Sequence, residues 1–285
     1  MRFETPLRLA RLAVLALFAL AAFPSRADEP VKEVRLYALD TGSIELKDLG
    51  AFSDTGEYDG KPGTLVAPSF IIRHPKGILV WDTGLGDKLA EKPDGLDTGF
   101  ARLVVRRTLA GQLKALGLTP SQVTHVAFSH FHFDHTGNAA LFGAATWIIN
   151  RQELAWALSE PTPFGADPTS ISGYKTAKTQ LIDGDYDVFG DGTVRILKAP
   201  GHTPGHQVLM VKLKNAGTLI LSGDLYHTNE NRTHRRVPGF NTERADSLAS
   251  IDRIERIIAN TKARFVVQHS EADFRALPAF PAYLD

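Results

Sequence analysis

The sequence predicts an α/β sandwich in which helices cover packed β-sheets. Short apolar segments typical of strands recur along the chain, and amphipathic helical segments alternate with them in the second half. After residue 27 there is no internal repeat, low-complexity tract or flexible linker. We therefore expect residues 28–285 to form a single domain.

The strand-like segments are short runs rich in β-branched and other apolar residues. In chain order they cover residues 34–38, 65–73, 77–81, 124–128, 146–149, 194–197, 208–213, 218–221 and 263–267. Between the second and third lies His74-Pro75-Lys76-Gly77, whose turn residues predict a β-hairpin.

Helical periodicity covers residues 100–116, 152–158 and 243–259. The last segment is the clearest, because its apolar residues share one face, namely Leu248, Ile251, Ile254, Ile257 and Ile258. Thr242 precedes this segment and is its expected N-cap.

The composition is that of a folded protein without thiol chemistry. The 285 residues include 32 basic and 32 acidic side chains and 43% hydrophobic residues, which is too apolar for a disordered chain. No positive balance points to nucleic acid as a partner. The absence of cysteine excludes disulfides, thiolate metal sites and a cysteine nucleophile.

The N-terminus has the pattern of a cleaved signal peptide. Arg2, Arg8 and Arg11 precede an apolar run at residues 12–23, and Ser25 and Ala27 are the small residues expected before a cut. The run is too short to span a bilayer comfortably. We expect cleavage after Ala27 and a periplasmic or secreted protein without a membrane anchor.

The most informative segment is Ser129-His130-Phe131-His132-Phe133-Asp134-His135, directly after a predicted strand. Imidazole and carboxylate are ligands for zinc and neighbouring divalent metals. Because the alternating His130 and His132 would project one way while Asp134 and His135 project another way, the four side chains favour two metal ions over one.

Three further groups follow predicted strands, at the strand ends where α/β sheets usually bind ligands. They are His202 in the loop Gly201-His202-Thr203-Pro204-Gly205-His206, Asp224 after Ser222-Gly223, and His269. We interpret His206 as support for this loop rather than as a ligand.

Together these motifs resemble the metallo-β-lactamase superfamily, over about residues 34 to 275. The resemblance implies an αβ/βα four-layer sandwich and two divalent metal ions, with zinc expected first and cobalt, iron and manganese left open. The implied ligands are His130, His132 and His202 for one ion, Asp134, His135 and His269 for the second, and Asp224 with a hydroxide between them. Asp82, in Asp82-Thr83-Gly84, would support a ligand histidine.

Within the superfamily the sequence is most similar to the quorum-quenching N-acyl homoserine lactone lactonases. The similarity lies in residues 199–207, in Asp224-Leu225-Tyr226-His227 and in Val237-Pro238-Gly239-Phe240. The Asp224 carboxylate disfavours a β-lactamase, where cysteine or serine is usual. The short remainder after Asp224 disfavours the helical domain of glyoxalase II, and the nuclease appendages for tRNA processing are absent.

The resemblance implies an exported hydrolase that opens N-acyl homoserine lactones by attack of a metal-bridging hydroxide. Asp134 would orient this nucleophile and pass its proton to the leaving alkoxide. Better-known lactonases have a tyrosine where this chain has His227, so Tyr226 and His227 are both candidate donors to the lactone carbonyl oxygen.

Several alternatives stay open. A thioesterase, phosphodiesterase or broad esterase would share the metal site, and a β-lactamase is less favoured. A non-catalytic metal-binding or redox-partner protein is disfavoured by the complete ligand set. The expected partner is a small acyl lactone, without nucleic acid, and a homodimer is left open.

Overall fold

The computed structural model describes Met1 and residues 32–285. The remainder of the expected signal peptide, with its cleavage site, lies outside the described residues. The described chain contains fifteen strands: β1 (Arg35–Leu39), β2 (Ser43–Leu46), β3 (Gly63–Val66), β4 (Ser69–His74), β5 (Gly77–Trp81), β6 (Leu96–Asp97), β7 (Ala101–Val104), β8 (His125–Ala127), β9 (Thr146–Asn150), β10 (Lys178–Ile182), β11 (Tyr186–Asp187), β12 (Val194–Lys198), β13 (Gln207–Leu213), β14 (Gly217–Leu221) and β15 (Arg264–Val266).

The same part of the chain contains six α-helices: α1 (Leu109–Ala115), α2 (Phe133–Thr136), α3 (Arg151–Ala157), α4 (Asn229–His234), α5 (Arg244–Thr261) and α6 (Glu271–Arg275). Short 3-10 segments lie at Gly50–Phe52, Asp87–Glu91, Pro120–Gln122, Ala139–Phe142 and Ser172–Lys175. None of the helices within residues 32–285 combines the length and the apolar character needed to cross a bilayer.

The strands form three sheets. A six-stranded sheet has the order β1-β4-β5-β8-β9-β10 and a five-stranded sheet the order β11-β12-β13-β14-β15. A smaller sheet has the order β3-β2-β7-β6. In the first sheet β5, β8, β9 and β10 are parallel, and in the second β14 and β15 are parallel. The loops that follow β8 and β15 therefore leave carboxyl ends of parallel strands.

The two larger sheets pack face to face. Phe70 and Ile72 of β4 lie in one core with Leu209 and Val211 of β13, whereas Ile71 points to the opposite face. Both faces of β4 are thus buried, which explains why its sequence is continuously apolar rather than alternating.

Helices cover the outer faces of both large sheets. Leu109 and Leu113 of α1 pack on the six-stranded sheet, and Ile251 and Ile254 of α5 pack on the five-stranded sheet. The order helix, sheet, sheet, helix confirms the expected four-layer sandwich. The predicted hairpin is also confirmed, because β4 and β5 are antiparallel with His74 opposite Gly77.

Three predicted elements are corrected. Residues 101–104 form strand β7 rather than the start of a helix, since Ala101 and Leu103 are buried in alternation when β7 pairs with β2. The strand predicted over residues 65–73 divides into β3 and β4 on either side of Pro68, which cannot donate a ladder hydrogen bond. Helix α5 begins one residue later than predicted, with Glu243 at the N-cap.

Candidate metal centre

The His130 loop turns sharply after β8 and folds its four predicted ligands inward. Its middle is the short helix α2, with His132 at the N-cap. His130, His132, Asp134 and His135 are all buried despite their polarity. Buried polar groups of this kind require partners.

The His202 loop follows β12 and lies against α5. Gly201 has φ of +131°, and a Cβ at this position would come within 2.2 Å of the Ser247 backbone nitrogen. Only glycine fits here without moving the helix. The His202 Nδ1 lies 2.9 Å from Asn241 Oδ1, which directs Nε2 of the ring into the site.

Asp224 and His269 complete the set from the ends of β14 and β15. The Asp224 N–H donates to His206 Nε2 at 2.8 Å, so the other ring nitrogen, Nδ1, carries the proton and donates to Ala199 O at 2.8 Å. Burial lowers the pKa of His206 to about 3, in agreement with this neutral ring. His269 Nδ1 donates to Val66 O at 2.6 Å, which leaves its Nε2 facing the site.

The predicted ligands of the first metal converge around His202 Nε2. This atom lies 3.1 Å from His130 Nε2 and 3.1 Å from His132 Nδ1. Asp224 Oδ2 lies 3.2 Å from the same His202 atom and 3.6 Å from His130 Nε2. We call His130, His132 and His202 the three-histidine group.

The predicted ligands of the second metal converge on the other oxygen of the same carboxylate. Asp224 Oδ1 lies 3.1 Å from His135 Nε2 and 2.9 Å from His269 Nε2. Asp134 Oδ2 lies 3.6 Å and 3.7 Å from these two nitrogens. We call Asp134, His135 and His269 the second group; Asp224 lies between the two groups with one oxygen toward each.

This donor set fits divalent cations. Three imidazole nitrogens face one another in the three-histidine group, an arrangement that a cation between them satisfies better than mutual hydrogen bonds do. Among the described residues, the buried His135 Nε2 and Asp224 Oδ1 face each other at 3.1 Å, yet neither makes a hydrogen bond of acceptable geometry. The donor atoms of each group lie within 4.8 Å of one another. Nitrogen and carboxylate oxygen are the ligands that zinc and its neighbours accept.

Two rings of the three-histidine group are in the protonation state that metal binding needs. Burial lowers the pKa of His130 and His132 well below the usual imidazole value, so both rings are neutral and hold a free lone pair. Burial alone would raise the pKa of Asp224, but the surrounding histidines, with His269 foremost, hold it well below its usual value.

Asp82 supports His135, as the resemblance implied. Asp82 Oδ2 lies 2.9 Å from His135 Nδ1 and accepts from Gln268 Nε2 at 2.6 Å. The carboxylate also accepts from the Ser129 N–H at 2.7 Å and from the Ser129 hydroxyl at 2.9 Å. Asp82 has φ of +54°, a left-handed conformation that is uncommon for a residue other than glycine and often marks functional sites.

The structure separates Tyr226 from His227. The Tyr226 hydroxyl donates to Glu255 at 3.1 Å and its ring packs against Phe265, within the core beneath α5. Tyr226 therefore does not reach the site, and its candidacy as a donor to substrate is corrected. His227 Nε2 lies 2.9 Å from Asp224 Oδ2, and the His227 ring lines the pocket beside the two groups.

That pocket is apolar apart from the candidate ligands and His227. Its walls come from the small sheet and the connections between its strands, from the loops after α3 and α4, and from α2. The apolar lining residues are Ile44, Leu46, Ala51, Phe52, Leu65, Phe100, Phe133, Phe164, Gly165 and Phe240. Gly165 lies against the His132 ring, where an added Cβ would come within 2.5 Å of Cδ2. An apolar cleft beside a polar cluster is the usual form of a small-molecule site.

Sequence reasoning missed several supporting residues. Ser129 and Gln268 each precede a predicted ligand, and that adjacency was an available signal. Asn241 and Glu153 contact the ligand loops from distant segments, and no local pattern identifies them.

Comparison with known proteins agrees with the fold and the site. Residues 62–269, more than half of the chain, match the Metallo-beta-lactamase superfamily. The N-acyl homoserine lactonase AttM of Azorhizobium caulinodans is 31% identical over 269 residues, covering 89% of this chain and 99% of the relative. The N-acyl homoserine lactonase AiiA of Bacillus thuringiensis subsp. kurstaki is 28% identical over 234 residues, covering 79% and 89%.

Solved structures show the same likeness. A 1.4 Å structure of N-acyl homoserine lactone hydrolase, with the product N-hexanoyl-L-homoserine bound at the catalytic metal centre, has a TM-score of 0.76 and 25% sequence identity. The match covers 89% of this chain and 100% of that one. The four-layer fold and its cluster of histidines and aspartates define the class, a metal-dependent hydrolase. The chain belongs to the metallo-β-lactamase superfamily.

Proposed function

We propose that this chain is an exported dinuclear-metal hydrolase that opens the lactone ring of N-acyl homoserine lactones. The observation that carries the proposal is the position of Asp224, with one carboxylate oxygen toward each of two ligand groups at the base of an apolar pocket. Relatives named as N-acyl homoserine lactonases and a similar structure with an acyl homoserine product support the substrate.

The residues of the chain divide the metal-binding work between them. His130, His132 and His202 would hold one ion, and Asp134, His135 and His269 the other, with Asp224 shared. When bound, two divalent ions supply a hydroxide nucleophile near neutral pH and polarise the carbonyl oxygen. Zinc is the proposed metal, because three imidazoles and carboxylates suit it well.

Two side chains are proposed to act on the substrate directly. Asp134 lies at the pocket wall, where it would orient the nucleophile and return a proton to the leaving alkoxide. Of the two candidates Tyr226 and His227, only His227 lines this wall, and its Nε2–H, which faces Asp224 Oδ2 at 2.9 Å, would donate to the lactone carbonyl oxygen once substrate is bound.

The apolar wall is proposed to receive the acyl chain. Ile44, Leu46, Phe52 and Leu65 contribute no hydrogen-bonding side chain, so binding there depends on removing apolar surface from water. Each methylene that becomes buried gains at most about 0.8 kcal/mol. We therefore expect KM to fall as the acyl chain lengthens, until the pocket is filled.

The test measures ring-opening of hexanoyl and decanoyl homoserine lactones by residues 28–285. Acid release reports the rate of ring-opening. We expect turnover that a chelator abolishes and that added zinc, cobalt or manganese restores. A β-lactam, a glutathione thioester and a phosphodiester serve as comparison substrates. If the lactones stay intact while one of these is cleaved, the substrate proposal is wrong and that other hydrolase activity replaces it.

The export proposal has its own test. The basic, apolar and small-residue regions of residues 1–27 support removal of this segment. We expect N-terminal sequencing of the protein from an extracytoplasmic fraction of the producing cell to begin at Asp28. A protein that keeps Met1 and stays in the cytoplasm would contradict export without affecting the proposed reaction.

A further inference from the structure

Glu153 is a buried carboxylate outside the candidate ligand set. It lies in the first turn of α3 and is 2% exposed. The Asn150 side chain caps this helix and accepts from the N–H groups of Gln152 and Glu153, which holds the Glu153 backbone in place.

The two oxygens of Glu153 bind two different loops. Oε1 accepts from the Phe131 N–H at 2.8 Å, and Oε2 accepts from the Gly205 N–H at 3.0 Å. Phe131 lies between His130 and His132, and Gly205 lies three residues after His202. One carboxylate therefore joins the two loops that carry all three members of the three-histidine group.

The contact with the second loop is close. A Cβ at Gly205 would come within 2.5 Å of both the Cβ and the backbone nitrogen of Glu153. The strand ends below the loops are joined separately, because Gln207 Nε2 donates to Phe128 O at 3.0 Å. Glu153, in contrast, joins the loops beyond the strand ends, next to the candidate ligands themselves.

Burial of this carboxylate has a cost. Removal from water raises the pKa of Glu153, and the nearby Thr203 side chain, followed by the two backbone N–H groups, opposes that rise. An apolar side chain would be buried more easily at this position. A role confined to core packing therefore does not account for a carboxylate here, whereas a link between two loops does.

We propose that Glu153 is a positioning residue for the three-histidine group, setting the distance between the His130–His132 loop and the His202 loop. The proposal rests on the proposed metal centre. Residues that orient metal ligands in this way typically contribute about 10–100-fold to metal affinity. The effect should be largest for one metal, because Glu153 binds the backbone between His130 and His132 and the backbone of the His202 loop, and its hydrogen bonds in the described chain do not reach α2, with Asp134 and His135, or the His269 loop.

The experiment is titration of metal-free protein with Zn²⁺ alone, in competition with a chromophoric chelator. Glu153→Gln keeps the size of the side chain but presents an NH₂ group to one of the two N–H donors. We expect wild type to bind two equivalents, and Glu153→Gln to bind one with unchanged affinity and one about 10–100-fold more weakly. The matched control is Glu255→Gln. Glu255 lies on α5, and its carboxylate accepts hydrogen bonds from Tyr226 and Arg232 rather than from a ligand loop.

Combining Glu153→Gln with a second substitution identifies which of the two metal sites is weakened. In His269→Ala, which retains the three-histidine group, Glu153→Gln should weaken the remaining site; in His202→Ala it should leave the remaining site unchanged. Equal weakening in both backgrounds, or none in either, would overturn the proposal. If Glu153→Gln does not fold, Gly205→Ala displaces the same contact and should show the same selectivity. Zn²⁺ affinity is measured without substrate, so failure of lactone turnover in wild type would overturn the proposed function alone.

Discussion

Asp224→Ala is expected to lose metal from both groups and to lower lactone turnover by more than about 100-fold, the upper end of the range for residues that only support ligands. The reason is that Asp224 directs Oδ2 toward His202 and Oδ1 toward His135 and His269. Removing it also leaves the surrounding buried imidazoles without their shared anion. Metal content after gel filtration and steady-state turnover measure the two effects.

Asp224→Asn refines this test. The amide keeps the size and one oxygen but has no charge, so we expect metal to remain at one group at most. Asp185→Asn is the control, because its carboxylate pairs with Arg253 rather than with a candidate ligand. A fully metallated and fully active Asp224→Ala variant would contradict the dinuclear proposal.

Asp82→Asn is expected to weaken metal binding at the second group by about 10–100-fold. Its carboxylate accepts from His135 Nδ1, Ser129 and Gln268. In asparagine one of the two oxygens is replaced by an NH₂ group, which cannot accept, so at least one of these hydrogen bonds is lost. Asparagine tolerates the left-handed backbone that Asp82 adopts, and the substitution therefore tests the carboxylate rather than the backbone. Zn²⁺ competition titration provides the measurement.

A more severe substitution at Asp82 and a control at another aspartate accompany this test. Asp82→Ala removes all four hydrogen bonds and adds about 1–2 kcal/mol of backbone strain, so it should also lower the unfolding temperature. Asp87→Asn is the matched control, since the Asp87 carboxylate also accepts several hydrogen bonds, here from the backbone N–H groups of Leu109 and Ala110 at the start of α1. Wild-type affinity at both sites in Asp82→Asn would show that Asp82 does not orient His135.

The candidate ligands were predictable because each lies in a short motif directly after a strand. Strand ends at one edge of a sandwich meet in space, so local sequence placed distant residues such as His130 and His269 together. One of the two outer cores was likewise foreseeable, because apolar residues recur on one face of α5 and pack on the second sheet.

Errors arose where a long-range contact outweighed the local pattern. Residues 101–104 read as the first turn of a helix, but pairing with β2 makes them a strand, since strand preference depends on neighbours that local periodicity does not reveal. Strand β2 itself was not predicted, although it provides Ile44 and Leu46 to the pocket.

The order of the residues was therefore sufficient to indicate the candidate donor set, the superfamily and the chemistry that nitrogen and oxygen ligands permit. Tertiary structure alone distinguished His227, which faces the pocket, from Tyr226, whose hydroxyl binds Glu255. It also revealed that Glu153 joins two ligand loops. Both depend on side-chain directions and on contacts between segments far apart in the chain, which are set only when the layers pack.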